Sequence, residues 1–337
     1  MSRFLSWMAG LACVCQANAA LLLEEPFALA PGALAGQGDW SGGSGTTVTT
    51  GSLSYPELRE PTVTSNKASL AVTASTAVKP FAPAPITNGS VYLSFLLRQT
   101  TLSASTTGGT VAGLDDDGTI TTSNGRAAAA LAVHLKQTNS NRYLVGIRKG
   151  QGSSGAGGGT DVFYTGASFA VNDVVLVVAK YTFGPGAGDD TVALWVNPDP
   201  GSFGGSEPPP HIAPTTTGNA TDAPALRFVF LRCNSSTVTG ANDVDNIRVG
   251  SSWADVTPAA SAPALTPPHI TEVSLAANTL TLRGTNGPPN GLYRIEAASQ
   301  LLPAGWSALA TNQFAGDGTF ISAIPFDAST PQRFFRL

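Results

Sequence analysis

Most of the side chains able to do chemistry here are aspartates. Asp115, Asp116 and Asp117 run consecutively ahead of Gly118. Hard oxygen ligands this close together suit calcium. The run neither alternates its ligands nor ends in a glutamate, so a solvated turn between strands is the expected setting. Asp189-Asp190, in a Gly-rich connection, reads the same way. Asp243 and Asp245 are two positions apart, which puts both carboxylates on one face of a strand. Such a pair could serve as nucleophile and acid at a glycosidic bond, or hold a metal. A glutamate acid to complete it is lacking: after Glu60 only Glu207, Glu272 and Glu296 remain, none with an acidic neighbour two to four positions away. The expectation is that Asp243 closes a turn and Asp245 faces solvent.

The three histidines, His134, His211 and His269, are far apart and have no Cys or second His at ligand spacing, which argues against zinc. His134 falls on the polar side of an alternating strand and is expected at the surface. Cys233 has no histidine near it in sequence to activate a thiolate, and reads as a small apolar strand residue. There is no Gly-x-Ser-x-Gly elbow and no phosphate loop. Trp40, Trp195, Trp253 and Trp306 are expected in packing roles, since tryptophan is usually highly buried. Tyr164, beside Gly-rich loops, is left as the candidate ligand-binding ring.

The elements that must position these groups are strands. Charged residues make up 12% of the 337, with 37 Gly and 24 Pro. This excludes helical bundles and favours a turn-rich all-β chain. The net charge is −4, and no Lys/Arg cluster offers a nucleic-acid surface. Leu131, Val133 and Leu135 alternate with Ala132, His134 and Lys136, the mark of a half-buried strand. The run from Asp173 to Phe183 is nearly continuously apolar, so both its faces should be covered. Strands are also expected over Ser90 to Arg98, Arg142 to Arg148, Asp161 to Tyr164, Thr191 to Asn197, Leu226 to Cys233 and Val244 to Val249.

Residues 1–19 have the charge, apolar core and Ala17-Asn18-Ala19 ending of an export signal cleaved before Ala20. No later segment is long and apolar enough to span a membrane. The Pro/Ala-rich stretch 258–268 reads as a linker. It separates a domain at 20–257 from a small β-domain at 269–337.

Three strings carry a resemblance. They are Glu25-Pro26-Phe27 with Gly38-Asp39-Trp40-Ser41, then Lys180 to Gly201, then Val244 to Pro258, which ends in a strand followed by Gly250 and Trp253. In this order, with Ser54-Tyr55-Pro56-Glu57-Leu58 near the start, the chain resembles the LamG-like, concanavalin A-like jelly-roll domains of exported bacterial proteins. The tail from Tyr293 to Leu337 resembles C-terminal β-domains of exported proteins in Verrucomicrobia-like bacteria. The resemblance implies an all-β chain, a concanavalin A-like jelly-roll sandwich followed by a small C-terminal β-sandwich. It implies a secreted or cell-surface protein whose partner is an extracellular glycan or an envelope component. Three functions fit: a non-catalytic glycan-binding module, a structural or adhesive envelope protein, and a polysaccharide hydrolase. The first is the leading expectation, with no catalytic residue and no cofactor other than calcium.

Overall fold

Alternation decides the architecture. In β7 (Ser90–Gln99), Val91, Leu93, Phe95 and Leu97 point one way and Tyr92, Ser94 and Leu96 the other, and both sets are buried. In β9 (Leu131–Gln137), Leu131, Val133 and Leu135 enter the core while His134 points away from it. The computed structural model describes residues 20–62, 66–71, 75–102, 108–116, 129–138, 141–150, 162–215, 222–233, 240–260, 268–288, 290–300, 305–325 and 333–336. The expected export signal therefore lies outside the described residues, as does Asp117.

The chain divides into two units, residues 1–260 and 261–337. The other strands of the first unit are β1 (Leu21–Glu25), β2 (Gly32–Ala33), β3 (Ser41–Gly42), β4 (Thr46–Thr50), β5 (Asn66–Leu70), β6 (Ser75–Pro80), β8 (Gly109–Asp115), β10 (Arg142–Lys149), β11 (Phe163–Tyr164), β12 (Phe169–Ala170), β13 (Val174–Thr182), β14 (Thr191–Val196), β15 (Ile212–Thr215), β16 (Phe228–Cys233) and β17 (Asn242–Gly250). One sheet runs β15-β14-β13-β7-β17-β5-β4-β2, with β1 also on β17. The other runs β11-β10-β9-β8-β16-β6-β3, with β12 on β10. All pairs are antiparallel, and the order mixes early and late strands, as a jelly roll requires. One core joins the inner faces: Phe95, Val177, Leu194 and Val249 from the first sheet, Val133, Val145, Ile147 and Leu231 from the second.

The first sheet is covered on its outer face too. Leu96, Leu176, Val178 and Trp195 pack there with Leu53, Leu58, Phe203, Trp253 and Val256. This is why β13 lacks polar alternation: Val175 and Val177 serve one core, Leu176 and Val178 the other. The covering segments end in α1 (Trp253–Val256), a single turn whose cap Ser252 and Asp255 exchange hydrogen bonds as a capping box. Residues 258–260, expected in the linker, belong to this unit. Arg59 N–H donates to Pro258 O at 2.9 Å and Ala260 N–H to Glu57 O at 2.7 Å, so backbone pairing holds them against the 57–59 stretch.

The second unit has two three-stranded sheets. One is formed by β18 (His269–Ala276), β19 (Thr279–Thr285) and β22 (Phe320–Pro325). The other is formed by β20 (Leu292–Ala298), β21 (Ser307–Gln313) and β23 (Phe334–Arg336). Leu282, Tyr293, Ile295, Phe314, Phe320 and Ile324 make its small core. The protein is all-β, a jelly-roll sandwich followed by a small β-sandwich. Among the described residues no helix is long and apolar enough to cross a membrane.

Candidate functional site

The outer face of the second sheet gathers the polar side chains that alternation excludes from its core. Strand pairing sets Thr110 beside His134, His134 beside Gly146, and Gly146 beside Tyr164, so these four form one cross-strand row over β8, β9, β10 and β11. On β16, Arg232 pairs across to Thr76 of β6, and its Nη1 reaches Thr76 Oγ1 at 3.4 Å. Arg148 follows two residues after Gly146 and so shares its face. Lys136, two after His134, holds its ammonium 5.3 Å from the centre of the Tyr164 ring.

Depth divides these groups. His134, Arg148 and Arg232 are buried, whereas Thr110, Lys136 and Tyr164 are half-buried. His134 Nε2 lies 3.3 Å from Thr110 Oγ1. Burial, and then the charges of Arg148 and Arg232, push its imidazole down to about 3, so it is neutral at ordinary pH. Burial raises the Tyr164 phenol to about 12, against a smaller opposing pull from Arg148. The phenol is therefore a neutral hydrogen-bonding group. The arrangement is a floor holding Arg148 and Arg232, a neutral histidine between, and a half-buried rim of Thr110, Lys136 and the Tyr164 ring, whose phenol oxygen is itself buried.

His134 is thus on the polar side of its strand, as its alternation implies, but it is not a surface residue: the charged floor around it is itself buried. Tyr164 stands at the rim of this face. Asp115 is the last residue of β8 and fully buried, not in a solvated turn. The Gly-containing stretch GTVAGLD pairs with β9 and β16 and carries the aspartate inside. Its carboxylate accepts the Asp116 N–H at 2.9 Å.

Asp243 and Asp245 are also misplaced by the sequence reading. Both are buried inside β17. Asp243 accepts from Ser69 Oγ at 2.6 Å and pairs with Arg98. Asp245 accepts the N–H groups of Leu53 at 2.7 Å and Asn246 at 2.8 Å. Asn246 takes a left-handed φ of 49° at a bulge, a conformation asparagine tolerates. The bulge sends the Asn246 amide to Glu60 Oε2 at 2.9 Å. Both carboxylates are therefore used to hold structure, and Asp245 with Asn246 ties the 53–60 segment to the first sheet. Burial raises the Asp245 carboxyl to about 7.

Among the described residues, Asp189, Asp190 and Asp222 form the one group of three metal-capable side chains, with ligand atoms within 4.8 Å of one another. The chain supplies the positive charge there itself. Lys149 Nζ, almost fully buried, donates to Asp222 at 2.5 Å. Asp222 also accepts from the N–H groups of Gly188 and Asp189, and Asp190 from Tyr181 and from Gly184 N–H. Trp40, Trp195 and Trp253 are buried, with Trp195 and Trp253 in mutual contact at 5.2 Å between ring centres.

Arg148 and Arg232 were not singled out from the sequence. A signal for them exists: each occupies the off-core parity of an apolar strand, where a charged residue must find a polar face. Asp222 has no such signal, because it belongs to no strand.

No family model matches the chain, and no curated protein matches it. Among solved structures, it is similar to the alginate lyase Aly36B in complex with alginate tetrasaccharide, at 11% identity over 66% of this chain and 93% of that one, with a TM-score of 0.42. It is similar to the globular domain of T. cruzi calreticulin at 11% identity over 71% and 91%, with a TM-score of 0.41. It is similar to the carbohydrate recognition domain of Emp47p at 9% identity over 66% and 94%, with a TM-score of 0.39.

Proposed function

We propose that the protein is an exported, non-catalytic glycan-binding module whose ligand lies along the outer face of the second sheet. The observation that carries this reading is the rim formed by Tyr164, Lys136 and Thr110 above the buried Arg148, His134 and Arg232. The half-exposed face of the Tyr164 ring gives a sugar a surface to pack on, and the Lys136 ammonium and Thr110 hydroxyl beside it give a polar edge. The LamG-like resemblance agrees with this use of the sandwich. A binding role, rather than hydrolysis, is supported by what the β17 carboxylates do. Asp243 is occupied by Arg98 and Ser69, and Asp245 by two backbone N–H groups, so the pair that the sequence offers for acid and nucleophile is committed to the fold.

The test is a glycan-array screen of the chain from Ala20, followed by titration of the best ligand. The expected result is saturable binding that Tyr164→Ala weakens by about tenfold, or ~1.4 kcal/mol, with no new reducing ends after long incubation with the same polysaccharide. Reducing ends that accumulate with enzyme concentration would sink the non-catalytic reading. Binding that Tyr164→Ala leaves untouched would move the ligand off this face.

A further inference from the structure

The C-terminal unit carries a hollow of about 470 Å³, within the size range of small-ligand sites. The glycan reading makes no use of it. Leu292, Pro268 and Pro288 form an aliphatic wall, and Arg294, Glu296 and Arg336 form a charged side. Leu292 is 74% exposed, so a large aliphatic side chain stands in solvent at the rim. Glu296 is shared by both arginines. Arg336 Nε donates to its Oε2 at 2.7 Å, and Arg294 pairs with its Oε1. The Arg336 hydrogen bond, with the nearby Arg294 charge, holds the Glu296 carboxyl below the usual carboxylate range.

Among the described lining residues one anion thus joins two cations, a net positive charge. Each guanidinium has five N–H donors, more than Glu296 consumes, and both side chains are at least half-exposed. The Arg336 guanidinium lies 4.4 Å from the centre of the Trp306 ring, an attraction that restrains it. A planar fork held this way suits a carboxylate, and the wall beside it suits an aliphatic group. The C-terminal residue of a peptide offers both from a single Cα. An acidic sugar fits less well, because the aromatic rings lining the hollow, Tyr293 and Phe314, are only 7% and 3% exposed and offer no face for a sugar to stack on.

We propose that this hollow binds the C-terminus of a peptide ending in an aliphatic residue, with the α-carboxylate on Arg294 and Arg336 and the last side chain against Leu292. The test uses the full chain and a fluorescein-labelled hexapeptide ending in leucine, as the free acid and as the amide, read by fluorescence anisotropy. The free acid should bind, with the amide weaker by about tenfold or more. Leu292→Ser, at an exposed position, and Arg336→Gln should each weaken the acid by about fivefold or more, with an unchanged melting temperature for Leu292→Ser. Glu296→Gln, which releases both guanidiniums, should bind the acid at least as tightly as the parent chain. No binding at millimolar peptide, equal binding of acid and amide, or indifference to Leu292→Ser would overturn the proposal. Displacement of the peptide by a glucuronate oligosaccharide at lower concentration than by unlabelled peptide would also overturn it and assign the hollow to an acidic glycan.

Discussion

Tyr164 lies directly over Gly146. A Cβ placed on Gly146 would stand 2.7 Å from the Tyr164 ring and 2.7 Å from the Phe163 carbonyl oxygen. The glycine is needed for the room it leaves: it lets β11 close onto β10 with the phenol lying flat on the sheet beside His134.

Gly146→Ala should therefore lift Tyr164 and disturb the end of β11. Overpacking of this kind costs about 1–3 kcal/mol. The expected outcome is a lower melting temperature together with weaker glycan binding, while Tyr164→Ala affects chiefly binding. Melting temperature and ligand titration on both variants check this. Unaltered stability in Gly146→Ala would show that the strand moves aside at no cost.

His134 should contribute stability that acid removes. Its imidazole is held at about 3 by burial and by Arg148 and Arg232, against an unfolded value near 6.5. A depressed folded value means the unfolded chain takes up the proton first. The contribution is complete above about pH 6.5 and is lost as pH falls toward 3. Its size is on the order of a few kcal/mol. His134→Asn should remove this rising contribution, so that between pH 4 and 7 the variant's urea midpoint tilts downward with pH relative to the parent's. A variant whose profile runs parallel to the parent's would show that His134 makes no such contribution.

Lys149 should be the costly position in the aspartate cluster. It is buried and faces Asp222 at 2.5 Å, with Asp189 and Asp190 alongside. Lys149→Met leaves three carboxylates without their cation, and breaking a buried pair from one side costs about 3–5 kcal/mol. The double change Lys149→Met with Asp222→Asn should recover part of the loss. Denaturant unfolding of the single and double variants measures this, and a strictly additive pair would show that the contact carries no coupling.

The fold was legible because its signal is periodic and local. Leu131, Val133 and Leu135 against His134 and Lys136 announce a strand with two different faces, and the run through Val175 to Val178 announces a strand covered on both. What stayed hidden depends on which strands become neighbours. β8 was missed because Gly109 and Gly113 interrupt its pattern, yet it brings Thr110 to His134 and buries Asp115. The burial of Asp245 depends on a bulge at Asn246 and on Leu53, 192 positions away in sequence. The floor of the candidate site likewise joins Thr76, Arg148 and Arg232. No spacing rule connects residues so distant.

Asp245 should act on stability with the sign opposite to His134. Burial raises its carboxyl to about 7 from an ordinary value of 3.8; the N–H groups of Leu53 and Asn246 and the charge of Lys67 oppose this, and Glu60 adds to it. A raised folded value means the folded chain keeps the proton longer. The contribution is complete below about pH 3.8 and is lost as pH rises through about 7, again on the order of a few kcal/mol. His134 gains over nearly the same window. The two groups sit on outer faces of different sheets and share no partner, so their effects should add. In the parent chain the two slopes largely cancel between about pH 4 and 6.5, and the urea midpoint should vary little there. Asp245→Asn keeps an oxygen for the Leu53 N–H, removes the falling slope, and should leave a protein that gains stability as pH rises. His134→Asn should leave one that loses it, and the double variant should be flat again. Urea midpoints of the four chains at pH 4, 5, 6, 7 and 8 decide the matter: single variants that tilt in the same direction would show that one of the two side chains is not held in the ionisation state its burial requires.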